Sequence, residues 1–378
     1  MKTDGGKLTD IKELLKLMVE RGASDLFISA EIPPHMKING VTQPVFLPAR
    51  QAQGEGKNTP SSQLPWPALK LGESRKIAYE LMTNQQRAEF ETRKECNFAL
   101  ASDHTGRYRI NVYYQRGEVS VAVRLIKSEI PTLEELGLPH QAGELALLKR
   151  GLVLMTGAAG TGKSTTMAAM VGHRAKLMDG HILTIEDPME FLFSHGKSIV
   201  EQREVGLDTL TFGDALKNAM RQAPDVIVIG EIRDRETAQH AIMYAEAGAL
   251  CISTLHSNNA NQAIERLINF FPDEAHKQIL LDLSLNLKGV ISQRLLPSLG
   301  GGLVLAAEVL LQSAYSSSLI QKGQIDMLKD AIKKGTEVGM QLFDDSLFKL
   351  YKQRRISQED ALHHADSRTD LALKIKLS

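Results

Sequence analysis

Apolar residues at helical spacing mark two segments in the N-terminal part of the chain. In the first, Thr9 can cap the start of a helix, and the apolar face is formed by Ile11, Leu14, Leu15 and Met18. The second covers 72–91 and is interrupted at Thr83, where Thr83 and Gln86 match a capping box. We therefore expect one helix near the N-terminus and a broken helical segment further along.

Short apolar segments between these helices predict β-structure. One strand is expected over 26–29. The segments 36–38 and 41–45 flank Asn39-Gly40, and this dipeptide is the strongest short signal for a two-residue hairpin. The pattern therefore predicts a small β-sheet in this region.

Strict alternation of apolar and polar residues continues on both sides of Arg116-Gly117. It predicts an antiparallel hairpin with one buried and one polar face. With the turn centred between Arg116 and Gly117, Arg109 lies directly opposite Arg124 on the polar face. Two cations so placed repel each other. Either both are solvated, or an anion binds between them.

The pattern changes after this hairpin. A linker is expected over 127–138, and from there apolar strands alternate with amphipathic helices, which predicts an α/β domain over 139–378 with a C-terminal helical region. The domain before the linker covers 1–126. Within it, the segment 48–67 is rich in Gln, Gly, Ser and Pro and contains Trp66, so we expect a flexible surface insertion there.

The most apolar segments of the second domain are 151–156, 226–230 and 250–255. They are short and bounded by Gly, Asp or His, as is typical of buried strands in a parallel sheet. No uncharged apolar segment approaches the roughly 20 residues of a membrane-spanning helix. The segment 1–10 contains lysines without an apolar core behind them, so we expect no signal peptide.

Composition narrows the function classes. The 378 residues include 45 Lys and Arg against 45 Asp and Glu, a formal net charge of zero. This balance argues against a surface built mainly to bind nucleic acid, and we expect no nucleic-acid partner. Cys96 and Cys251 are the only cysteines, which excludes a disulfide framework and a four-cysteine zinc site and favours a reducing cytosol.

A phosphate-binding loop is the clearest chemical motif. The segment Gly157-Ala158-Ala159-Gly160-Thr161-Gly162-Lys163-Ser164, followed by Thr165, matches G-x-x-x-x-G-K-[ST] in full. An apolar strand precedes it and a helix follows, which is the order that the motif requires. Backbone N–H groups would surround the phosphates of ATP, Lys163 would reach the β and γ oxygens, and the Ser164 hydroxyl would bind Mg²⁺.

Acidic residues follow two of the predicted strands. Glu186, Asp187 and Glu190 come after one strand, and Glu231 comes after another. The carboxyl ends of parallel strands share one edge of a sheet, so these acids should face the phosphate-binding loop. Each cluster alone could instead be the acidic start of a helix.

A third strand ends at His256. A single histidine in this place is either structural or catalytic, and the pattern leaves both open. Its position at the same sheet edge as the γ-phosphate makes a role in sensing the phosphate, or in coupling it to a neighbouring subunit, a reasonable hypothesis.

Taken together, these motifs resemble the PilT and PilU retraction motors of type IV pili, in the secretion ATPase superfamily. The resemblance implies an α/β protein in which a RecA-like P-loop ATPase domain is preceded by a smaller α+β PAS-like domain, and it implies a homohexameric ring. It covers nearly the whole chain. The segments that carry it are 22–26 with Pro33-Pro34, the arginine hairpin, the phosphate-binding loop, the acidic box 184–191, the Walker B segment 224–234 and the histidine box 254–256.

The resemblance also implies roles for individual residues. The catalytic glutamate of the acidic box falls on Glu190 and the Walker B glutamate on Glu231, which would share the metal with Ser164. Arg109 and Arg124 would act as arginine fingers on the γ-phosphate. Further candidates within the same boxes are Glu186, Arg233 and His256.

Departures within the family favour an accessory motor of the PilU type. Ala249 replaces a second histidine that relatives often carry, and the PilT-type C-terminal signature AIRNLIRE is absent, with 315–321 in its place. The segments 16–20, 95–99 and 365–377 are more similar to PilU. The insertion over 51–67 departs from both.

The resemblance implies a cytoplasmic protein, peripheral at the inner membrane, with a PilT-like motor and an inner-membrane pilus platform protein as partners. Three alternatives remain open. An assembly or type II secretion ATPase is the nearest, although such relatives usually carry an extra N-terminal domain and often a four-cysteine zinc module. The others are a nucleic-acid translocase and a nucleotide-binding scaffold that supports a PilT ring.

Overall fold

The structure of the protein is a computed structural model that describes residues 10–46, 65–102 and 106–377. The chain divides into two compact units, Met1–Ser128 and Glu129–Ser378. Thr9, predicted as a helix cap, and most of the predicted insertion lie outside the described residues.

Among its described residues, the first unit contains a six-stranded antiparallel sheet with the order β3-β2-β1-β6-β5-β4. Asn39 and Gly40 have positive φ values of 50° and 82° at the turn between β2 and β3, so the predicted hairpin is confirmed. The strands are β1 (Asp25–Ile28), β2 (His35–Ile38), β3 (Val41–Pro44), β4 (Glu95–Ser102), β5 (Gly106–Gln115) and β6 (Glu118–Ile126).

In the described part of this unit the sheet is accompanied by three helices: α1 (Ile11–Glu20), α2 (Glu73–Leu81) and α3 (Asn84–Arg93). The predicted break and the capping box at Thr83 and Gln86 are confirmed. The predicted cap of α1 at Thr9 is wrong, because Asp10 is the N-cap and its side chain accepts a hydrogen bond from the Lys12 N–H. A carboxylate one residue later meets the free N–H groups of the first turn equally well.

Trp66 is buried, although the composition of its segment predicts a surface insertion. Only 5% of the residue is exposed, and it packs in the core of the first unit. Its backbone N–H donates to Val45 O at 2.7 Å. An indole in a polar, Pro-rich segment is still the largest apolar surface available there, and burying it is favourable.

The second unit is built on a seven-stranded sheet with the order β13-β12-β7-β11-β10-β8-β9. Neighbouring strands are parallel except for the edge pair β12 and β13. The three segments predicted as buried strands are β7, β10 and β11. The strands are β7 (Gly151–Thr156), β8 (Gly180–Glu186), β9 (Ser198–Glu204), β10 (Val226–Ile229), β11 (Leu250–Leu255), β12 (Leu287–Pro297) and β13 (Leu303–Leu311).

Helices cover both faces of this sheet, as a mainly parallel sheet requires. One apolar cluster lies on each face, and a smaller cluster holds the C-terminal helices against β12 and β13. The helices are α4 (Gln141–Ala146), α5 (Lys163–Leu177), α6 (Phe212–Ala219), α7 (Arg235–Glu246), α8 (Ala260–Asn269), α9 (His276–Asn286), α10 (Ala314–Gln321), α11 (Leu328–Lys334), α12 (Phe343–Lys352), α13 (Gln358–His363) and α14 (Arg368–Lys376).

The predicted fold class, an α/β ATPase domain preceded by a smaller domain with an antiparallel sheet, is confirmed. Within the described part of the chain, no helix has both the length and the apolar character needed to span a membrane.

Candidate functional site

The phosphate-binding loop connects β7 to α5 at the carboxyl edge of the sheet. Gly157 has a φ of 153°, and a Cβ there would lie 2.4 Å from Thr161 Oγ1 and 2.8 Å from the Gln293 carbonyl oxygen. Both distances are shorter than any side chain tolerates, so only glycine fits. Thr161 Oγ1 also donates to the Ala158 carbonyl. The loop is therefore tightly folded between its own backbone and β12.

Lys163 points back over this loop. Its Nζ donates to the carbonyl oxygens of Gly157 at 2.9 Å and Ala158 at 2.8 Å. Only 8% of the residue is exposed, and burial lowers the pKa of the ammonium group while the charges of Glu231 and Glu190 oppose that shift. The cation is thus held at the loop, between its carbonyls and the acidic residues.

His256 connects Lys163 to Glu231. Its Nδ1 lies 3.3 Å from Lys163 Nζ, and its Nε2 lies 3.0 Å from Glu231 Oε1. An ammonium group can only donate, so Nδ1 accepts from Lys163 and the ring proton is on Nε2, from which it donates to Glu231. The structure therefore brings three of the predicted residues into one hydrogen-bonded chain.

Arg233 ties the two acidic segments together. Its Nε donates to Glu231 Oε2 at 2.8 Å. Its Nη1 lies 3.3 Å from Asp187 Oδ2, and its Nη2 donates to the Asp187 carbonyl at 3.1 Å. These contacts raise the pKa of Arg233, chiefly through the hydrogen bond to Glu231. Both oxygens of Glu231 thus have a partner, His256 in the loop after β11 and Arg233 on its own segment.

Glu186 and Glu190 differ in their surroundings. Glu186 is buried and accepts hydrogen bonds at Oε1 from Thr184 Oγ1 and Gln202 Nε2. Burial raises the pKa of this carboxyl group, and the two hydrogen bonds oppose the rise. Glu190 is exposed. An exposed carboxylate can act on water, whereas the buried Glu186 is held by its neighbours.

These residues surround one cavity of about 240 Å³. Its position agrees with the general rule that ligands of parallel sheets bind at the carboxyl ends of the strands. The charged and hydroxyl residues in its lining are Lys163, Ser164, Glu186, Asp187, Glu190, Glu231, Arg233, Thr254 and His256.

The donor set of this cavity fits Mg²⁺. The hydroxyl oxygen of Ser164 and the carboxylate oxygens of Glu231 are hard ligands of the kind that Mg²⁺ takes. Among the described residues, no three His, Cys, Asp or Glu side chains converge on a metal position. A magnesium ion there would complete its shell with phosphate oxygens and water, as it does in most nucleotide sites.

Arg109 and Arg124 lie in the first unit and are direct cross-strand partners, as predicted from a turn centred between Arg116 and Gly117. Their repulsion is relieved by a carboxylate that the sequence pattern did not reveal. Asp25 on β1 is the cross-strand partner of Arg124 on its other side, and its Oδ1 accepts from Arg124 Nε at 2.8 Å. The Arg124 side chain remains 66% exposed.

Several contacts of the site could not be read from the motifs. Gln202 and Asp187 meet their partners only because β8 pairs with β9 and lies beside β10. Gln293 is another such residue: its Nε2 donates to Thr166 Oγ1 at 2.6 Å, and both residues are buried. Its place in a "Ser-Gln-Arg" segment far from the loop gives no local signal of this contact.

Several known proteins have sequences similar to that of this chain. The model of a family described as "Type II/IV secretion system protein" matches residues 80–317. The type IV pilus ATPase PilU of Pseudomonas aeruginosa is 50% identical over 97% of this chain and 92% of its own length. The type IV pilus retraction ATPase PilT of the same organism is 37% identical over 94% of this chain and 98% of its own length.

A solved structure is similar to this chain over nearly its whole length. The crystal structure of the pilus retraction motor PilT with bound ADP superimposes with a TM-score of 0.85 and 39% sequence identity. The match covers 96% of this chain and 99% of that one.

Proposed function

The chain belongs to the type II/IV secretion system protein family, and we propose that it is an ATP-hydrolysing motor of type IV pilus retraction, of the accessory PilU type. The observation that carries this proposal is the hydrogen-bonded chain from Lys163 through His256 to Glu231 beneath the phosphate-binding loop. The greater similarity to PilU than to PilT supports the accessory role.

In the proposed reaction, backbone N–H groups of the loop and of the first turn of α5 bind the phosphates of ATP. Lys163 leaves the loop carbonyls for the β and γ oxygens. His256 remains beside it, so that the position of Lys163 is transmitted to Glu231. Glu190, exposed at the rim of the cavity, is the proposed base for the attacking water.

Ser164 and Glu231 would hold Mg²⁺, which when bound neutralises charge on the β and γ phosphates. An ionised carboxylate offers about four lone-pair sites, so Glu231 can keep His256 and Arg233 as partners and still offer an oxygen to the metal. Arg233 keeps the carboxylate near Asp187 through its other two nitrogens. Binding of the metal therefore does not require loss of this arrangement.

Arg109 and Arg124 are proposed to act on the γ-phosphate within a homohexamer. Asp25 supports this role for Arg124, because it orients the guanidinium through Nε and leaves both Nη groups to donate to an anion. The ring is proposed to be cytoplasmic and peripheral at the inner membrane, with a PilT-like motor and a pilus platform protein as partners.

A deletion experiment tests the proposed function. The gene is removed from cells that keep, or lack, their PilT-like motor, and surface pili and twitching are scored. We expect weaker twitching with surface pili retained in the strain that keeps that motor. The wild-type gene and a gene encoding Lys176→Ala, an exposed lysine at the far end of α5, should restore twitching, and Lys163→Ala should not.

Two results would argue against the proposal. Loss of surface pili would indicate an assembly ATPase instead. Unchanged pili and twitching in both strains would exclude a role in retraction.

A further inference from the structure

A row of buried polar residues crosses three strands directly behind the phosphate-binding loop. Thr156 is the last residue of β7, its partner on β12 is Ser292, and the partner of Ser292 on β13 is Glu308. Each is at most 1% exposed. Polar side chains are costly in such a place unless they have partners, so the row calls for a physical explanation.

Glu308 reaches across the face of the sheet to α8. Its Oε1 accepts from the Ala260 N–H at 2.8 Å and lies 3.3 Å from Ser292 Oγ. Ala260 is the first residue of α8, whose N–H groups have no partner within the helix. Asn259 caps the N–H of Gln262. Glu308 therefore supplies a second cap, from a different element, and fixes where α8 begins.

The start of α8 is also where the loop after β11 ends. That loop is short and begins with His256. Arg266, two turns along α8, donates through Nη1 to the His256 carbonyl at 2.9 Å. The backbone of His256 is thus held by the helix that Glu308 anchors, while its ring contacts Lys163 and Glu231.

We propose that Glu308 is a positioning residue for the nucleotide site: by anchoring α8, it holds His256 between Lys163 and Glu231. This inference rests on the proposed ATPase function. Glu308 lies in a different strand from every residue assigned to that site and acts only through α8.

The state of the Glu308 carboxyl group fits a structural anchor. Burial raises its pKa, and the hydrogen bond from Ala260 opposes the rise. Within the described residues its second oxygen, Oε2, has no hydrogen-bond partner. A neutral amide can therefore replace it, because Gln keeps the one acceptor that Ala260 uses.

A double-mutant cycle on kcat for MgATP tests the proposal in the full-length protein. The variants are Glu308→Leu, His256→Ala and the combination. Alone, Glu308→Leu should lower kcat by about tenfold, because the loss of one hydrogen bond that positions a catalytic group raises the activation free energy by about the energy of that bond. In the His256→Ala background it should have almost no further effect, because the residue it positions is gone.

Two further variants separate positioning from general stability. Glu308→Gln should restore most of the wild-type kcat. Ser346→Ala removes a buried hydrogen bond to Ala307 on the same strand, away from α8, and should leave kcat near the wild-type value. If Glu308→Leu does not fold, Glu308→Asp, which withdraws the carboxylate from Ala260, takes its place in the cycle with the same expectation.

The outcomes of this cycle distinguish the two proposals. A wild-type chain without ATPase activity would overturn the proposed function itself. An active wild type in which the effects of Glu308→Leu and His256→Ala multiply would overturn the positioning role alone, as would a kcat for Glu308→Gln as low as that of Glu308→Leu.

Discussion

At the scale of single residues, the motifs named most of the charged groups of the site but not their partners. Lys163, Glu231 and His256 were placed at one sheet edge by strand order, and the structure joins them through hydrogen bonds. Arg233 and Asp187 were less prominent in the sequence, yet Arg233 donates to Glu231 and to Asp187 and so joins the two acidic segments. Side-chain hydrogen bonds depend on distances of a few tenths of an ångström, which a motif does not specify.

His256→Ala should lower kcat more than it changes KM. The imidazole contacts Lys163 and Glu231 rather than a part of the site that only binds nucleotide. Loss of a hydrogen bond to a charged group costs about 1.5–3 kcal/mol, which corresponds to a fall in kcat of about 10- to 100-fold. Steady-state kinetics with MgATP measures both constants. A purely structural histidine would instead leave kcat unchanged in the folded variant.

Glu186→Gln should alter the pH dependence of stability. The pKa of Glu186 is raised by burial, so the stability linked to its protonated form is fully present below the unfolded value and is lost as pH rises through the folded pKa. The amide cannot ionise and keeps an acceptor for Thr184 and Gln202. The Tm of the variant minus the Tm of wild type should therefore be larger at pH 8 than at pH 5. An equal Tm difference at both pH values would contradict the assignment.

At the scale of elements, local pairing was predictable and distant pairing was not. The hairpin of β5 and β6 follows from alternation around Arg116-Gly117, and its register was predicted correctly. Asp25 reaches Arg124 because β1 pairs with β6 across about 100 residues of sequence. Period-2 patterns show which face of a strand is buried, but they do not show which strand lies beside it.

The C-terminal helices are held by a comparable distant contact. Arg294 on β12 donates to the His364 carbonyl and to Asp366 Oδ1, both at 2.6 Å, and its guanidinium lies over the Phe343 ring. Asp366 also accepts from Lys329 at 3.1 Å. Burial raises the pKa of Asp366, but Arg294 and Lys329 outweigh it and hold that pKa below its ordinary value.

Asp366→Asn should destabilise this segment by about 1.5–3 kcal/mol, as is typical when a hydrogen bond between charged groups is lost. Because the pKa of Asp366 is lowered, its contribution is present above the unfolded value and disappears as pH falls through the folded one. Hydrogen exchange of the amides in α13 and α14 at neutral pH measures the effect. Glu337→Gln, an exposed change of equal charge outside α13 and α14, should leave their exchange unchanged; equal effects of the two variants would refute the contact.

At the scale of the whole molecule, the alternation of strands and helices after the linker predicted the α/β class, and the sheet order completes it. The candidate site residues lie at one edge because β7, β8, β10 and β11 are parallel, and a candidate residue or the phosphate-binding loop lies at or just after the carboxyl end of each strand. It could not predict the burial of Trp66, because composition alone assigned that segment to the surface.

ATP hydrolysis at the phosphate-binding loop is the activity on which the proposed motor function depends. Its most direct test is the steady-state release of phosphate from MgATP by the purified full-length protein. We predict measurable turnover by wild type and by Lys176→Ala, and a fall of about 100-fold or more in Lys163→Ala, the scale reported when a single group that stabilises transition-state charge is removed. Equal turnover in Lys163→Ala and wild type would show that the loop does not carry the activity, and no turnover in wild type would show that the chain is not an ATPase.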